Sequence, residues 1–222
     1  MKRLSTFVGC LMAIASQAQV NPNLLGNNQV EAGNLIASGS YTAYENTPFI
    51  PTDWSKGSVT GTSGKAYEIE RIRYNAFEGR PEYEWKGQTY TFSIAVMEFA
   101  LDVNGTPTVF RSGFKPVDGQ TERSFYEVRH DGKTKLLRYR TAKLMDVTQY
   151  NSATKQKRFD FPESYYLARP DGTLVRIKRD KKSLLDALPD RAPQLESFIA
   201  AQKLRFRDWD DVAKVLTHYD QL

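Results

Sequence analysis

Three dipeptides, Asn104-Gly105, Asp131-Gly132 and Asp171-Gly172, constrain this chain more than any other feature in it. A two-residue hairpin turn of type I′ holds both central residues at positive φ, a conformation that Gly, Asn and Asp tolerate and most residues resist. Runs that alternate apolar and polar residues flank each pair, which is the period of strands with one buried face. Trp85-Lys86-Gly87-Gln88 is a weaker fourth turn of the same kind. Across these turns Tyr126 and Val128 answer Leu137 and Tyr139, while Tyr165 and Leu167 answer Val175 and Ile177. Upstream, Tyr90, Phe92, Ile94 and Val96 share a face. Phe99, Leu101 and Val103 resume it after a change of phase at Met97-Glu98. That change, and another at Glu70-Arg71, predict bulges that curl the sheet. Tyr41 to Trp54 carries aromatics between Pro48 and Pro51. It is expected to drape over the sheet or form an edge, because a central strand needs donors that proline lacks.

After Lys181 the period lengthens to that of a helix. Ser183 to Leu188 reads as a short helical turn stopped by Pro189. Asp190 then caps a helix with Leu195, Phe198 and Ile199 on one face. Asp208 caps a last helix with Trp209, Val212, Val215, Leu216 and Tyr219 in one stripe. A side-chain oxygen at the cap satisfies an orphan amide, and Asp210 and Asp211 complement the positive end of the dipole. Helices this short depend on tertiary packing, so their stripes should seal one end or face of the sheet. The expected fold is α+β, a curled antiparallel β meander or partly closed barrel followed by two or three short C-terminal helices. One domain is expected over residues 41–222, β-rich to 180 and helical from 181. A chain of this size can bury a core of its own. Its 12 Tyr and 12 Phe suit pleated surfaces.

The start of the chain has the three parts of a secretory signal. Lys2 and Arg3 are basic, Leu4 to Ala15 carry no charge, and Ser16-Gln17-Ala18 offers small residues where a signal peptidase reads. Cleavage after Ala18 is expected, with a mature chain beginning at Gln19. The apolar run is shorter than the 20 or so residues that span a bilayer, and Asn21-Pro22-Asn23 would break a helix continuing from it. Phe7-Val8-Gly9-Cys10 has a loose likeness to a lipidation site, but Phe7 stands where leucine is usual and only six residues separate Arg3 from Cys10. The soluble mature form is the better reading, periplasmic or extracellular. Gln19 to Ser40, rich in Asn and Gly, reads as an extended leader. Losing Lys2 and Arg3 takes the formal charge from +5 to +3, far from the field of a nucleic-acid binder. Cys10, the only cysteine, leaves with the signal, so no disulfide is expected.

Three stretches together resemble a family of uncharacterised secreted proteins common in Bacteroidetes-type bacteria. The first is Thr47-Pro48-Phe49-Ile50 with Asp53-Trp54-Ser55-Lys56-Gly57-Ser58-Val59, Gly64-Lys65-Ala66-Tyr67 and Arg73-Tyr74-Asn75. The second is Phe125-Tyr126-Glu127-Val128 with Lys135-Leu136-Leu137. The third is Leu184 to Asp190 with Phe198-Ile199 and the segment from Asp211 to Tyr219. Phe49-Ile50 replaces the Tyr-Leu usual in that family. The resemblance implies export and a β-rich body with a helical tail, and it implies no activity.

Chemistry-bearing clusters are few. Arg176, Lys178, Arg179, Lys181 and Lys182 form the densest basic run and the one candidate binding surface. On a strand, Arg176, Lys178 and Asp180 would face one way. A basic stripe can hold nucleic acid, but for an exported chain an anionic envelope glycolipid or another envelope protein is the better partner, and a plain solvated face competes with both. Glu82 and Glu84, like Glu68 and Glu70, place paired carboxylates on one strand face, as a glycosidase would. Arg71, Arg73 and Arg80 would equally balance them as a polar sheet face. His130 and His218, the only histidines, read as a solvated turn residue and a helix-end residue, and neither belongs to a metal-ligand cluster. Asp208, Asp210 and Asp211 lack the spacing of a calcium loop. Gly61-Thr62-Ser63-Gly64-Lys65 lacks the spacing of a phosphate-binding loop. No catalytic residue, metal ligand or cofactor is assigned. The leading expectation is a non-catalytic envelope protein that binds a ligand or partner. A hydrolase of envelope polysaccharide acting through Glu82 and Glu84, and a structural subunit of a surface assembly, are the alternatives.

Overall fold

A computed structural model describes residues 33–35, 41–148 and 155–222. The expected signal, residues 1–18, lies outside the described residues, as does the leader apart from β1, Gly33–Leu35. The strands that follow are β2 (Phe49–Gly61), β3 (Ala66–Asn75), β4 (Arg80–Trp85), β5 (Gln88–Phe92), β6 (Val96–Val103) and β7 (Thr106–Arg111). Then come β8 (Tyr126–Asp131), β9 (Lys135–Arg140), β10 (Lys143–Thr148), β11 (Lys155–Asp160), β12 (Glu163–Ala168) and β13 (Leu174–Ile177). Eleven form one antiparallel sheet in the order β1-β5-β4-β3-β2-β6-β7-β8-β9-β12-β13, and β10 and β11 pair as a separate hairpin. The α+β expectation is met. A barrel is not, because the sheet ends in two edges, β1 and β13, that do not meet.

Nor is the sheet a simple meander. Phe92 and Val96 fall on different strands, and between β5 and β6 lie β4, β3 and β2. In a flat sheet those two strands would be four spacings, about 19 Å, apart. The four residue steps from Phe92 to Val96 reach at most about 14 Å. The β2–β5 half must therefore curl back until β5 approaches β6. The expected bulge at Met97-Glu98 is present, since Thr60 pairs with Glu98 and Gly61 with Val96, one step on β2 against two on β6; the connection between the two strands precedes it at residues 93–95. The bulge at Glu70-Arg71 is present: Ser55 pairs with Ile72 and Gly57 with Ile69, two steps on β2 against three on β3.

Of the segment expected to drape or form an edge, Phe49 and Ile50 pair with β3 alone and residues 51–54 have no register partner, whereas the later part of β2, Gly57 to Thr60, is central and flanked by both β3 and β6. Pro51 is tolerated because pairing with β3 lapses between Ile50 and Ser55. Gly57 lies where the neighbours crowd closest: a Cβ there would overlap the Ala100 carbonyl and stand 2.8 Å from Ile72 Cγ2.

Among the described residues, three turns have both central residues at positive φ, one of them Asp118-Gly119 at 49° and 85° between the bridged Val117 and Gln120. Asn104 and Gly105 do so at 54° and 78°, as expected, and Lys86 and Gly87 at 49° and 75°. Asp131-Gly132 and Asp171-Gly172, expected to form such turns, sit instead in wider loops, residues 132–134 and 169–173. Asp131 is drawn away from turn geometry by Arg111, which binds both its oxygens at 2.9 and 3.1 Å, and by Lys135 at 2.6 Å.

The helices are α1 (Lys181–Ala187), α2 (Ala192–Ala201) and α3 (Trp209–Tyr219). Asp208 caps α3 as expected, accepting from the Asp211 amide at 3.2 Å. Asp190 is not a cap. It lies in a 3-10 turn before α2 and accepts from the Tyr219 hydroxyl, while Asp180 caps α1 through the Ser183 amide. Leu184, Leu195, Ile199, Val212, Val215 and Leu216 press onto Leu136, Tyr165, Leu167 and Ile177 of the sheet. The Trp209 indole stacks on Tyr165 with centroids 3.6 Å apart. At the other end of α3, Asp220 accepts from the Thr134 amide and hydroxyl at 3.0 and 2.8 Å and lies 3.4 Å from His130. His130 is therefore not a solvated turn residue. His218 stacks on Phe198 at 4.1 Å. Among the described residues no helix is long and apolar enough to cross a membrane.

Candidate functional site

Register decides which charged side chains meet. Val59, Phe99, Phe110, Glu127, Arg138, Tyr165 and Ile177 are cross-strand neighbours in one row over seven strands. Directly opposite residues share a face, so an ion pair stands in the middle of an otherwise apolar line. Glu127 is only 2% exposed and receives three guanidinium groups: Arg129 at 3.1 Å, Arg140 at 3.2 Å and Arg138 through its Nε at 3.0 Å. Glu163 reaches Arg138 at 3.6 Å. Three cations thus share two carboxylates. Burial pulls Arg138 down, but its bonds to Glu127 outweigh this and hold it above the usual arginine value. Arg140 is pushed down, first by burial and then by Arg138 beside it. Its Nε is buried without a hydrogen-bond partner. Arg140 is the cation this cluster compensates least.

A second network lies on β3 and β4. Glu82, 2% exposed, accepts from Asn75 at 2.9 Å and Arg73 at 3.3 Å and has Arg80 at 3.8 Å. Burial pushes the Arg73 guanidinium below its ordinary value, and Glu82 opposes the shift. The rings of Phe49 and Trp54 enclose that guanidinium, 3.3 and 3.9 Å from its carbon. Glu84 pairs with Arg71 at 2.8 Å and Glu70 with Lys56 at 3.1 Å. Of the carboxylates that suggested a glycosidase, Glu82 and Glu84 are balanced by the arginines named with them and Glu70 by Lys56. With its oxygens enclosed by cations and an amide, Glu82 is placed to hold Arg73, not to pass a proton to a substrate.

The basic run does not form one stripe. β13 ends at Ile177, so Lys178, Arg179 and Asp180 lie in a connection and Lys181 and Lys182 open α1. Arg176 lies 3.7 Å from Asp118 and donates to Ser164, Lys181 pairs with Glu196 at 2.8 Å, and Lys182 with Asp186 at 3.4 Å. Among the described residues, Lys178 and Arg179 have no carboxylate within 4 Å. The shallow depression here, about 340 Å³, also includes Asp180 and Asp186. The sequence resolved the charges of this surface but not their neutralisation by residues distant along the chain.

Two larger clefts were not foreseen. One opens where β5 approaches β6 and encloses about 610 Å³. Phe92, Ile94, Val96, Met97 and Phe125 give it apolar walls, and Glu78, Arg80, Glu122 and Arg123 supply charge. Ile94 and Met97 are each 37% exposed. Arg80 is shared with Glu78 and Glu82, whereas Arg123 has no carboxylate within 4 Å among the described residues. Exposed apolar residues at the break in the Tyr90–Val103 pattern were the available clue. The other cleft, also about 610 Å³, lies where β2 leaves β3 and is lined by residues 49–55, the turn at Asp102–Asn104, Arg140 and Phe161. Among the described residues no group of three or more His, Cys, Asp or Glu is placed to hold a metal ion. Comparison with known proteins finds no counterpart: no family model, curated protein or solved structure matches the chain.

Proposed function

We propose that this is an exported, non-catalytic binding protein of the cell envelope, taking an amphipathic anionic ligand into the cleft between β5 and β6. The observation that carries the reading is the joining of an apolar wall, Phe92, Ile94, Val96, Met97 and Phe125, to Arg123, a guanidinium with no carboxylate within 4 Å among the described residues, on a rim that Glu122 shares. A cleft of this volume is within the usual range for small-molecule sites, where apolar lining supplies affinity and a few polar groups fix orientation. Export rests on the basic, apolar and small-residue segments of residues 1–18 and on the resemblance to a secreted family. A hydrolase acting through Glu82 and Glu84 is disfavoured by the cations that enclose those carboxylates.

The test has two arms. Intact mass of the envelope fraction should give a chain beginning at Gln19, and a chain lipidated at Cys10 or left uncut in the cytosol refutes export. For binding, the anionic aromatic probe anilinonaphthalene sulfonate should brighten on the folded protein and be displaced by dodecyl phosphate. Ile94→Asp and Met97→Asp, at half-exposed sites that tolerate charge, should abolish the signal with an unchanged melting temperature. Retention of full binding by both variants refutes the assignment.

A further inference from the structure

The cleft beside β2 has a different chemistry. Its rings are Phe49, Trp54 and Phe161, and its polar groups are Asp53, Asp102, Asn104 and Arg140. We propose that this second cleft is a saccharide-binding site. A sugar ring presents an apolar C–H face, which packs on aromatic rings. Its edge of hydroxyls both donates and accepts, which planar carboxylate, amide and guanidinium groups match with paired hydrogen bonds. A purely anionic ligand fits less well, because two carboxylates accompany the one guanidinium. A purely apolar ligand would desolvate Asp53, Asp102, Asn104 and Arg140 without offering them a hydrogen bond.

The walls are fixed before any ligand arrives. Trp54 and Phe49 are held by the Arg73 guanidinium between them, and Arg73 is held by Glu82 at 3.3 Å. The Asp102–Asn104 turn is locked by a bond from the Gly105 amide to Asp102 Oδ1 at 2.7 Å, which leaves Oδ2 available. Arg140 is anchored on Glu127. Between Ile50 and Ser55, residues 51–54 of β2 have no register partner on β3, so this part of the strand is free to bound the cleft. Sites whose side chains are positioned by a second layer of contacts lose less entropy on binding. The networks around Glu82 and Glu127 both reach this cleft, one behind Trp54 and the other through Arg140.

Isothermal titration of the purified protein with maltotetraose, cellotetraose, chitotetraose and tetragalacturonate tests the site. At least one neutral tetrasaccharide should bind with a dissociation constant below about 1 mM. Phe161→Ala and Asp53→Ala should each weaken it by about tenfold or more. Asp53 is exposed, so its variant should keep the wild-type melting temperature and remains informative if Phe161→Ala unfolds. Ile94→Asp, in the other cleft, should leave sugar binding unchanged, so the two assignments fail independently. Silence from the three neutral sugars, whether or not tetragalacturonate binds, overturns the proposal. So does binding that survives Asp53→Ala and Phe161→Ala undiminished, or cleavage of the tetrasaccharide during the titration.

Discussion

Gly57→Ala tests the central feature of the fold, the threading of β2 between β3 and β6. The added Cβ would overlap the Ala100 carbonyl, stand 3.2 Å from its carbon and 2.8 Å from Ile72 Cγ2. Carbon atoms pack at about 3.5–4.0 Å, so β2 must move by roughly 1 Å from two neighbours at once. Overpacking of this kind costs about 1–3 kcal/mol. Retreat from β6 also stretches the ladder bonds around the Gly57–Leu101 and Val59–Phe99 pairs, each worth about 1 kcal/mol net. A loss near 3 kcal/mol is expected, a large part of the 5–15 kcal/mol typical of a folded domain. Urea unfolding followed by far-UV circular dichroism should show it as a midpoint shift of about 1–2 M, with m near 2 kcal/mol/M. Gly64→Ala is the control: φ is +75° but nothing lies within 4 Å, so only backbone strain of about 1 kcal/mol applies. A loss under 1 kcal/mol at Gly57, or one no larger than at Gly64, refutes the threading.

Glu82→Leu should cost about 3–5 kcal/mol because it strands a buried guanidinium, and adding Arg73→Met should recover part of that loss. A double variant less stable than the single one refutes the account. Trp209→Ala removes the stack on Tyr165 and should cost about 2–4 kcal/mol in urea melts; under 1 kcal/mol would make α3 a detachable tail. The bonds from Arg111, and then Lys135, hold Asp131 at about 2 against an ordinary 3.8. Its contribution is therefore complete above about pH 4 and lost as pH falls toward 2. Side-chain exposure of 45% limits it to under about 1 kcal/mol, which Asp131→Asn should abolish in melts across that window. Lys178→Glu with Arg179→Glu should reduce adsorption to anionic glycolipid vesicles at low ionic strength only, since exposed charges are screened beyond about 8 Å at physiological salt; a difference that persists there would restore the basic run as a working site.

Local patterns foretold what local forces determine. The Asn104-Gly105 turn, the Val128–Leu137 and Tyr165–Ile177 pairings, the bulge at Glu70-Arg71 and the Asp208 cap each follow from patterns that are local in the sequence, the two pairings across a single hairpin. The failures occur where distant groups intervene. The apolar alternation runs on from Phe92 through Ile94 to Val96 without glycine or proline, so the passage between strands four places apart carried no turn signature. Asp131-Gly132 has the composition of a tight turn, but Arg111 engages Asp131, and a Cβ on Gly132 would overlap the Asp220 carboxylate from the end of α3. Asp190 resembles a cap, but Tyr219 binds it from 29 residues away. The charges around Glu82 were legible as a balanced sheet face, whereas the convergence of Arg129, Arg138 and Arg140 on Glu127 depends on the β8–β9 register, which composition does not contain.

The two buried charge networks have a cost that stability does not explain. Desolvating a carboxylate and a guanidinium consumes most of what their attraction returns, and well-packed apolar residues of similar volume would serve a core as well or better. Their placement accounts for them. Arg73 holds the rings of Phe49 and Trp54 at a fixed separation, which no aliphatic side chain would do with the same directionality. Glu127 fixes Arg140 at a cleft while leaving its charge incompletely matched. A hydrolase acting through Glu82 would need that carboxylate exposed, and a purely structural subunit would need neither network. Rigid aromatic walls and a positioned guanidinium are instead what a binding site requires, which is why the binding reading accommodates features that the other two leave without a cause.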